Sequence, residues 1–366
     1  MTGVVYVPTL VDASNHNAQV LNTRAILAGW DAPGWRVAAH AYDEPDPKVE
    51  ANTQVDITRL WRRHAWYLHY FLRYLRPFDL IFYPGASPMD LAGLRWRKQL
   101  GMLAPVIGTL EGLAGDPIRE AKYAAVAGHP VYCHQVPLDV IQRVDDYLNQ
   151  ADHIIAISPF LAKMGKSRYG DKFSILPLGI DSSIFFSRAR ATNTRMKVVS
   201  AGTVYDTKRP ELFLELARRY QQADFIWYGE GVLRHPLQAQ AEQLGLGNLS
   251  FPGPLSPKLL GEEFREADIF AMPSKSEGVP KVTQEASACG LAQVIFGYYE
   301  APSVVNEQNG FVVWDDETFF DRVGELIDNP QRAQLFGQTG AVMARAWDWN
   351  VVAPKWRDRL IEIAGH

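Results

Sequence analysis

The stretch that decides the fold is "ADIFAMPSKSEGVPKVTQEASACGLAQVIF", residues 267–296. It contains two short apolar runs, 269–272 and 293–296. Neither alternates; both read as strands buried on both faces. Between them Gly278-Val279-Pro280 is a poor start for a strand and a good start for a helix. Strand, helix and strand in that order make a βαβ unit, whose strands are parallel. The unit places Glu277 just before the helix begins and Glu285 a turn or more inside it.

The same alternation runs through the chain. Further strand candidates are 4–7, 37–40, 80–83, 105–109, 154–157 and 174–178, then 197–201, 225–228, 249–251 and 311–313, with helical segments between most of them. A polar break at 187–195, "SRARATNTR", precedes a fresh strand and reads as an inter-domain linker and hinge near Arg190. The chain has 366 residues. At roughly 150 residues per domain that suits two domains. Two doubly wound domains bind ligands at the carboxyl ends of their strands. Three Gly-bearing loops fall there in the second half: "AGTVYDTKRPE" from Ala201, "YGEGV" from Tyr228 and "PSKSEGVPK" after Met272.

The net charge of −4 excludes a nucleic-acid binder by bulk electrostatics. The balance is uneven: residues 1–195 carry a small excess of Lys and Arg, and 196–366 are acidic. The cysteines, Cys133 and Cys289, are far apart and offer neither a disulfide framework nor metal-ligand spacing. No apolar run approaches the ~20 residues that span a bilayer, and the first ten residues lack the basic start of a signal peptide. These features predict a cytoplasmic protein, soluble or peripheral on the inner face of a membrane.

A nucleotide-diphosphate sugar fits the loop of Glu277 on chemical grounds. Gly278 lets backbone approach a phosphate closely. Pro280 suits a first helical turn, where its missing N–H is not needed. The amides around Gly278 to Lys281, those of Gly278, Val279 and Lys281 with Pro280 between, then point at the donor from a helix N-terminus, which favours anions. Lys208, after another strand, adds a cation. Glu285 offers two acceptor oxygens to a ribose diol, and Glu277 does the same for sugar hydroxyls. The alternative is that both glutamates are surface charges complementing a helix dipole.

The motif Glu277-Gly278-Val279-Pro280 with Glu285-Ala286, Ala288 and Gly290 resembles the E-G-x-P…E-A-x-A-x-G signature of retaining GT-B glycosyltransferases of family four. The likeness covers most of the second half. "GTVYDTK" resembles the family's G-R-L-x-x-x-K loop, with Gly202 and Lys208 matching and Thr203 standing where Arg is usual. "GEG" (229–231), "FPGPLS" (251–256) and "ADIFAMPS" (267–274) resemble loops and the strand around the donor. "LPLGID" with Phe185 is similar to the linker-proximal P-N-G-V-D-x-x-x-F. "WDWN" from Trp347 resembles the start of a C-terminal helix that crosses back. The resemblance implies an α/β GT-B fold: two Rossmann-like domains, 1–190 on the acceptor side and 191–346 for the nucleotide sugar, facing a central cleft, with 347–366 returning to the first.

The resemblance further implies that Glu285 binds the ribose, Glu277 sits by the transferred sugar, Lys208 meets the diphosphate and backbone near Leu255 meets the base. It also implies that anomeric configuration is retained and that neither metal nor cofactor is used. Arg209 can stand in for the missing Arg. Glu111, in "TLEG", occupies the slot of a family histidine and joins Glu277 and Lys208 as a catalytic candidate. The expected function is transfer from a nucleotide-diphosphate sugar to a glycan or glycolipid. The alternatives are a non-catalytic nucleotide-sugar-binding or interaction module and a phosphorylase-like enzyme.

Residues 58–77, "TRLWRRHAWYLHYFLRYLRP", read as a helix with Arg59, Arg62, Arg63, Arg73 and Arg76 on one face and apolar residues on the other. That suits either an ordinary scaffold helix with a solvated face or a patch for an anionic membrane surface.

Overall fold

The computed structural model describes residues 3–14, 18–60, 72–83, 85–189 and 195–365. Its strands in chain order are β1 (Gly3–Leu10), β2 (Trp35–Ala41), β3 (Val55–Arg59), β4 (Leu80–Phe82), β5 (Val106–Leu110), β6 (Ala114–Gly115), β7 (His134–Gln135), β8 (His153–Ala156) and β9 (Phe173–Ile175). Then come β10 (Lys197–Ala201), β11 (Asp224–Tyr228), β12 (Leu249–Gly253), β13 (Ile269–Met272), β14 (Ala292–Phe296) and β15 (Gly310–Val313). They form a seven-stranded sheet ordered β3-β2-β1-β4-β5-β8-β9, a six-stranded sheet ordered β12-β11-β10-β13-β14-β15, and a small β6-β7 pair. Every paired strand in the two large sheets is parallel.

Continuous apolar sequence produces this arrangement. All of Leu80, Ile81 and Phe82 in β4 and all of β13 are buried, as strands covered by helices on both faces must be. Strand order reverses between β1 and β4 in one sheet and between β10 and β13 in the other, the doubly wound pattern with its ligand crevice at the switch.

Contacts divide the chain into two compact units. One holds Met1–Val126, His134–Gly179 and Trp349–His366; the other holds Ala127–Cys133 and Ile180–Asp348. The main crossing into the second unit falls at Gly179–Ile180, ahead of the expected 190. The Ile180 amide already bonds the Trp347 carbonyl at 2.8 Å, and Phe185 is buried in the second core. The polar composition of 187–195 pointed past the true boundary, and the expected hinge at Arg190 lies outside the described residues. The second boundary is Asp348–Trp349, two residues beyond 346. The C-terminal helix Trp349–Ala364 does rejoin the first unit. Val352, Trp356 and Leu360 on its inner face are buried, and the Trp356 indole donates to the Pro177 carbonyl at 2.8 Å.

The basic segment is corrected at its start. β3 occupies 55–59, so Arg59 lies on a strand, paired with Glu44 at 2.9 Å. Arg73 is buried and bonds Thr58 instead of facing solvent; Arg76 is exposed. Arg62 and Arg63 lie outside the described residues. The helical reading overran by two residues because β3 is a short edge strand, VDITR, with apolar and polar residues alternating and only Val55 buried.

Trp356→Ala should remove the helix's main anchor. Large-to-Ala changes in cores cost about 3–5 kcal/mol. Urea denaturation should show that loss, with hydrogen exchange in β4 speeding in step.

Candidate active site

The carboxyl edge of the second sheet is built by three loops that depend on one another. After β10, Gly202 has φ +145°; after β11, Gly229 has φ +156°. The Gly202 amide donates to the Tyr228 carbonyl at 2.9 Å, and Val204 to Glu230 at 2.9 Å. The Trp227 indole donates to the Gly202 carbonyl at 3.1 Å. A Cβ on Gly229 would lie 1.8 Å from the Gly202 carbonyl oxygen, and one on Gly231 would lie 2.3 Å from that of Val204. These glycines let one loop backbone lie against another. The Gly202 amide is thus spent on the neighbouring loop.

The third loop, after β13, is tied to both sides. The Lys275 amide bonds the Thr207 carbonyl at 2.9 Å. The Ser276 hydroxyl donates to the Tyr132 carbonyl at 3.0 Å, and Tyr132 stacks edge-on against Tyr298 with centroids 5.2 Å apart. Pro280 is the residue before the helix Lys281–Cys289, one place earlier than a first-turn proline, and its carbonyl accepts from Thr283. Gly290, at φ +83°, ends the helix in the left-handed conformation that caps favour. Ala286 and Ala288 are buried, so the motif's small residues serve packing.

The structure brings Lys208 and Glu277 together as an ion pair, although 69 residues separate them. Lys208 sits in the turn Asp206–Lys208, and the Glu277 side chain is only 9% exposed. Removing either member of such a pair leaves a poorly solvated charge behind. Glu285, half-buried and inside the helix, has no hydrogen bond or ion pair among the described residues. Burial raises its carboxyl above the usual glutamate range, against the pull of Lys281. Gly278 and Val279 are partly exposed at the loop, as is Lys281 at the helix start.

The other candidates are placed differently. Thr203 is exposed on the β10 loop. Arg209, left-handed at φ +54°, pairs with Asp316 and lies 5.2 Å from the Phe296 ring centroid. Its guanidinium is thus held by Asp316 in the ligand-free protein. Leu255 is partly buried against the second core, in the loop after β12. Glu111 follows β5 in the first unit and accepts from Asn22 at 3.4 Å. Among the described residues no three His, Cys, Asp or Glu side chains gather as a metal site.

Sequence reading missed Tyr132, Ser274 and Tyr299. Ser274 and Tyr299 are buried with hydroxyls that make no hydrogen bond among the described residues. Ser274 ends the family-like segment 267–274 without standing out there, and Tyr132 and Tyr299 lie in no recognisable motif.

Two family profiles cover most of the chain: Glycosyltransferase Family 4 over residues 23–184 and Glycosyl transferases group 1 over residues 182–343. The chain belongs to the group 1 glycosyltransferases. It resembles the D-inositol 3-phosphate glycosyltransferase of Segniliparus rotundus, 27% identical over 50% of this chain and 45% of that one. It also resembles the GDP-mannose-dependent monoacylated alpha-(1-6)-phosphatidylinositol monomannoside mannosyltransferase of Corynebacterium glutamicum, 24% identical over 71% and 74%. The match spans less than half the length of the first of these relatives. In fold, this group 1 glycosyltransferase matches a sucrose-phosphate synthase of Thermosynechococcus elongatus (TM-score 0.78, 17% identity, all of both chains). It likewise matches Anabaena HepE, solved with UDP (TM-score 0.74, 14% identity, 98% and 100%). Both are GT-B architectures, so the expected fold class holds.

The raised Glu285 carboxyl carries a stability signature. The folded state holds this proton more tightly than the unfolded state does. Stability therefore falls as pH rises from the unfolded value toward the folded one, and stays lower above it. Glu285→Gln should raise the melting temperature at about pH 8, with the gain disappearing near pH 4. A gain independent of pH would mean that the charge is not its source.

Proposed function

We propose that this protein moves a sugar from a nucleotide-diphosphate sugar to a glycan or glycolipid acceptor, retaining anomeric configuration and using no metal ion. The observation that carries the reading is the Lys208–Glu277 pair at the carboxyl edge of the second sheet, with Glu285 unpaired in the helix that starts beside it.

The parts have separable roles. Lys208 and the amides at the start of the helix Lys281–Cys289 receive the diphosphate and steady it as it leaves, an electrostatic role. A diphosphate competes with Glu277 for the Lys208 ammonium and draws it away. Glu277 is then turned toward the sugar hydroxyls. Glu285 accepts from the ribose diol, and its unpaired state in the free protein suits that task. Glu111 acts from the acceptor-side unit on the transferred sugar. Support for a lipid-borne acceptor is the mannosyltransferase of Corynebacterium, whose name specifies a phosphatidylinositol mannoside. Such an acceptor would set the protein at a cytoplasmic membrane face. Among the described residues no helix is long and apolar enough to cross a membrane.

A thermal-shift screen with UDP-, GDP- and ADP-sugars should raise the melting temperature with one base and show little change with the others. Glu285→Ala should then weaken nucleotide binding by about 10–100-fold, the worth of a hydrogen bond to a charged group. Glu277→Ala should spare affinity for the free nucleoside diphosphate and cut transfer. Tight binding without diphosphate release, with lipid and sugar acceptors supplied, would identify a binding module instead.

A further inference from the structure

Tyr299 lies where that reaction would need it. β13 and β14 are adjacent and parallel, with Met272 opposite Ile295. Glu277 follows Met272 and Tyr299 follows Ile295 by nearly the same number of residues, so both leave the same edge of the sheet on neighbouring loops. The Tyr299 ring is buried, and its hydroxyl makes no hydrogen bond among the described residues. Burial, then the negative charge of Glu277, hold the phenol well above its ordinary pKa, in keeping with the neighbouring loops that carry the two residues. The Phe296 amide pulls weakly the other way and is too poorly placed to make a hydrogen bond.

A buried O–H without an acceptor costs stability, and a phenylalanine of the same shape would not. The group becomes useful once Glu277 loses its cation. The Glu277 side chain is almost wholly enclosed, so it cannot exchange Lys208 for water when the ammonium moves away.

We propose that Tyr299 is the positioning residue for Glu277: its phenol O–H takes the carboxylate when Lys208 turns to the donor diphosphate. The carboxylate then stays oriented through the transfer, passing from an ion pair to a hydrogen bond from the phenol. The inference rests on the proposed roles of Lys208 and Glu277, but the exchange of partners can be tested without any substrate.

The test is a double-mutant cycle on the ligand-free protein. Lys208→Met imitates departure of the ammonium. Tyr299→Phe in the natural background should leave the unfolding midpoint unchanged or raise it. In the Lys208→Met background it should shift the unfolding equilibrium by about 10–100-fold toward the unfolded state. Ser274→Ala, which removes another bare hydroxyl near the same loop, should show no such coupling to Lys208. Additive effects, or equal coupling at Ser274, overturn the proposal. Should Lys208→Met fail to fold, Lys208→Gln serves. In the transfer assay Tyr299→Phe should lower kcat by about tenfold or more and change the donor KM much less. An unchanged kcat overturns the proposal, as does a loss of activity that follows a loss of stability. If the natural protein transfers no sugar, the functional reading fails while the cycle still decides the pairing.

Discussion

The placement of both donor-side glutamates depends on how one short helix is held. Beneath Lys281–Cys289 lies a buried polar chain rather than hydrocarbon. The Gln293 amide donates to the Thr283 carbonyl at 2.9 Å and to the Ser287 hydroxyl at 2.6 Å. The Ser303 hydroxyl donates to Thr283 at 2.7 Å, and Asn309 donates to the Ser303 carbonyl at 2.7 Å. All five side chains are buried. In a low dielectric such bonds are strong and directional, so they fix rotation about the helix axis where apolar packing would tolerate slippage. Glu285 projects from that helix and Glu277 from the loop leading into it. An error in the helix would displace both.

The loops around the helix are rigid for a second reason. Gly229 lies against Gly202 and Gly231 against Val204 at distances no side chain would permit, and the amides of Gly202 and Gly229 bond neighbouring loop or strand carbonyls. The site therefore gains a stiff floor and gives up some of the free amides that glycine-rich loops offer anions elsewhere. Beside that floor the Lys208–Glu277 pair and the Arg209–Asp316 pair supply the charge.

Sequence carried the fold well because buried parallel strands are written as continuous apolar runs, as in 269–272 and 293–296. It failed at β3, where Val55-Asp56-Ile57-Thr58-Arg59 alternates in sequence; the strand was missed, and its last two residues fell in the helical reading of 58–77. It also failed at the first domain boundary, since a polar composition at 187–195 says nothing about whether Ile180 and Phe185 are already packed in the second core. Glu277, Glu285 and Lys208 were legible through a motif and through their chemistry. The ion pair between Lys208 and Glu277 was not, because sequence spacing does not say which loops meet. Tyr132, Ser274 and Tyr299 belong to the same class: each matters through a neighbour distant in the chain.

The seven residues Ala127–Cys133 join the second unit, although the chain on both sides belongs to the first. Trp349–His366 joins the first unit, although everything just before it belongs to the second. On a ribosome these placements set an order. The Tyr132 segment emerges long before Ser276 and Tyr298 exist to receive it, and it must wait unpaired. The first unit, made earliest, lacks Trp356 over Pro177 until nearly all of the chain has appeared. The first unit therefore cannot finish folding until the second has been made, because Trp349–Ala364 follows it in the chain. Independent maturation of the first unit, open to many two-domain chains, is closed to this one.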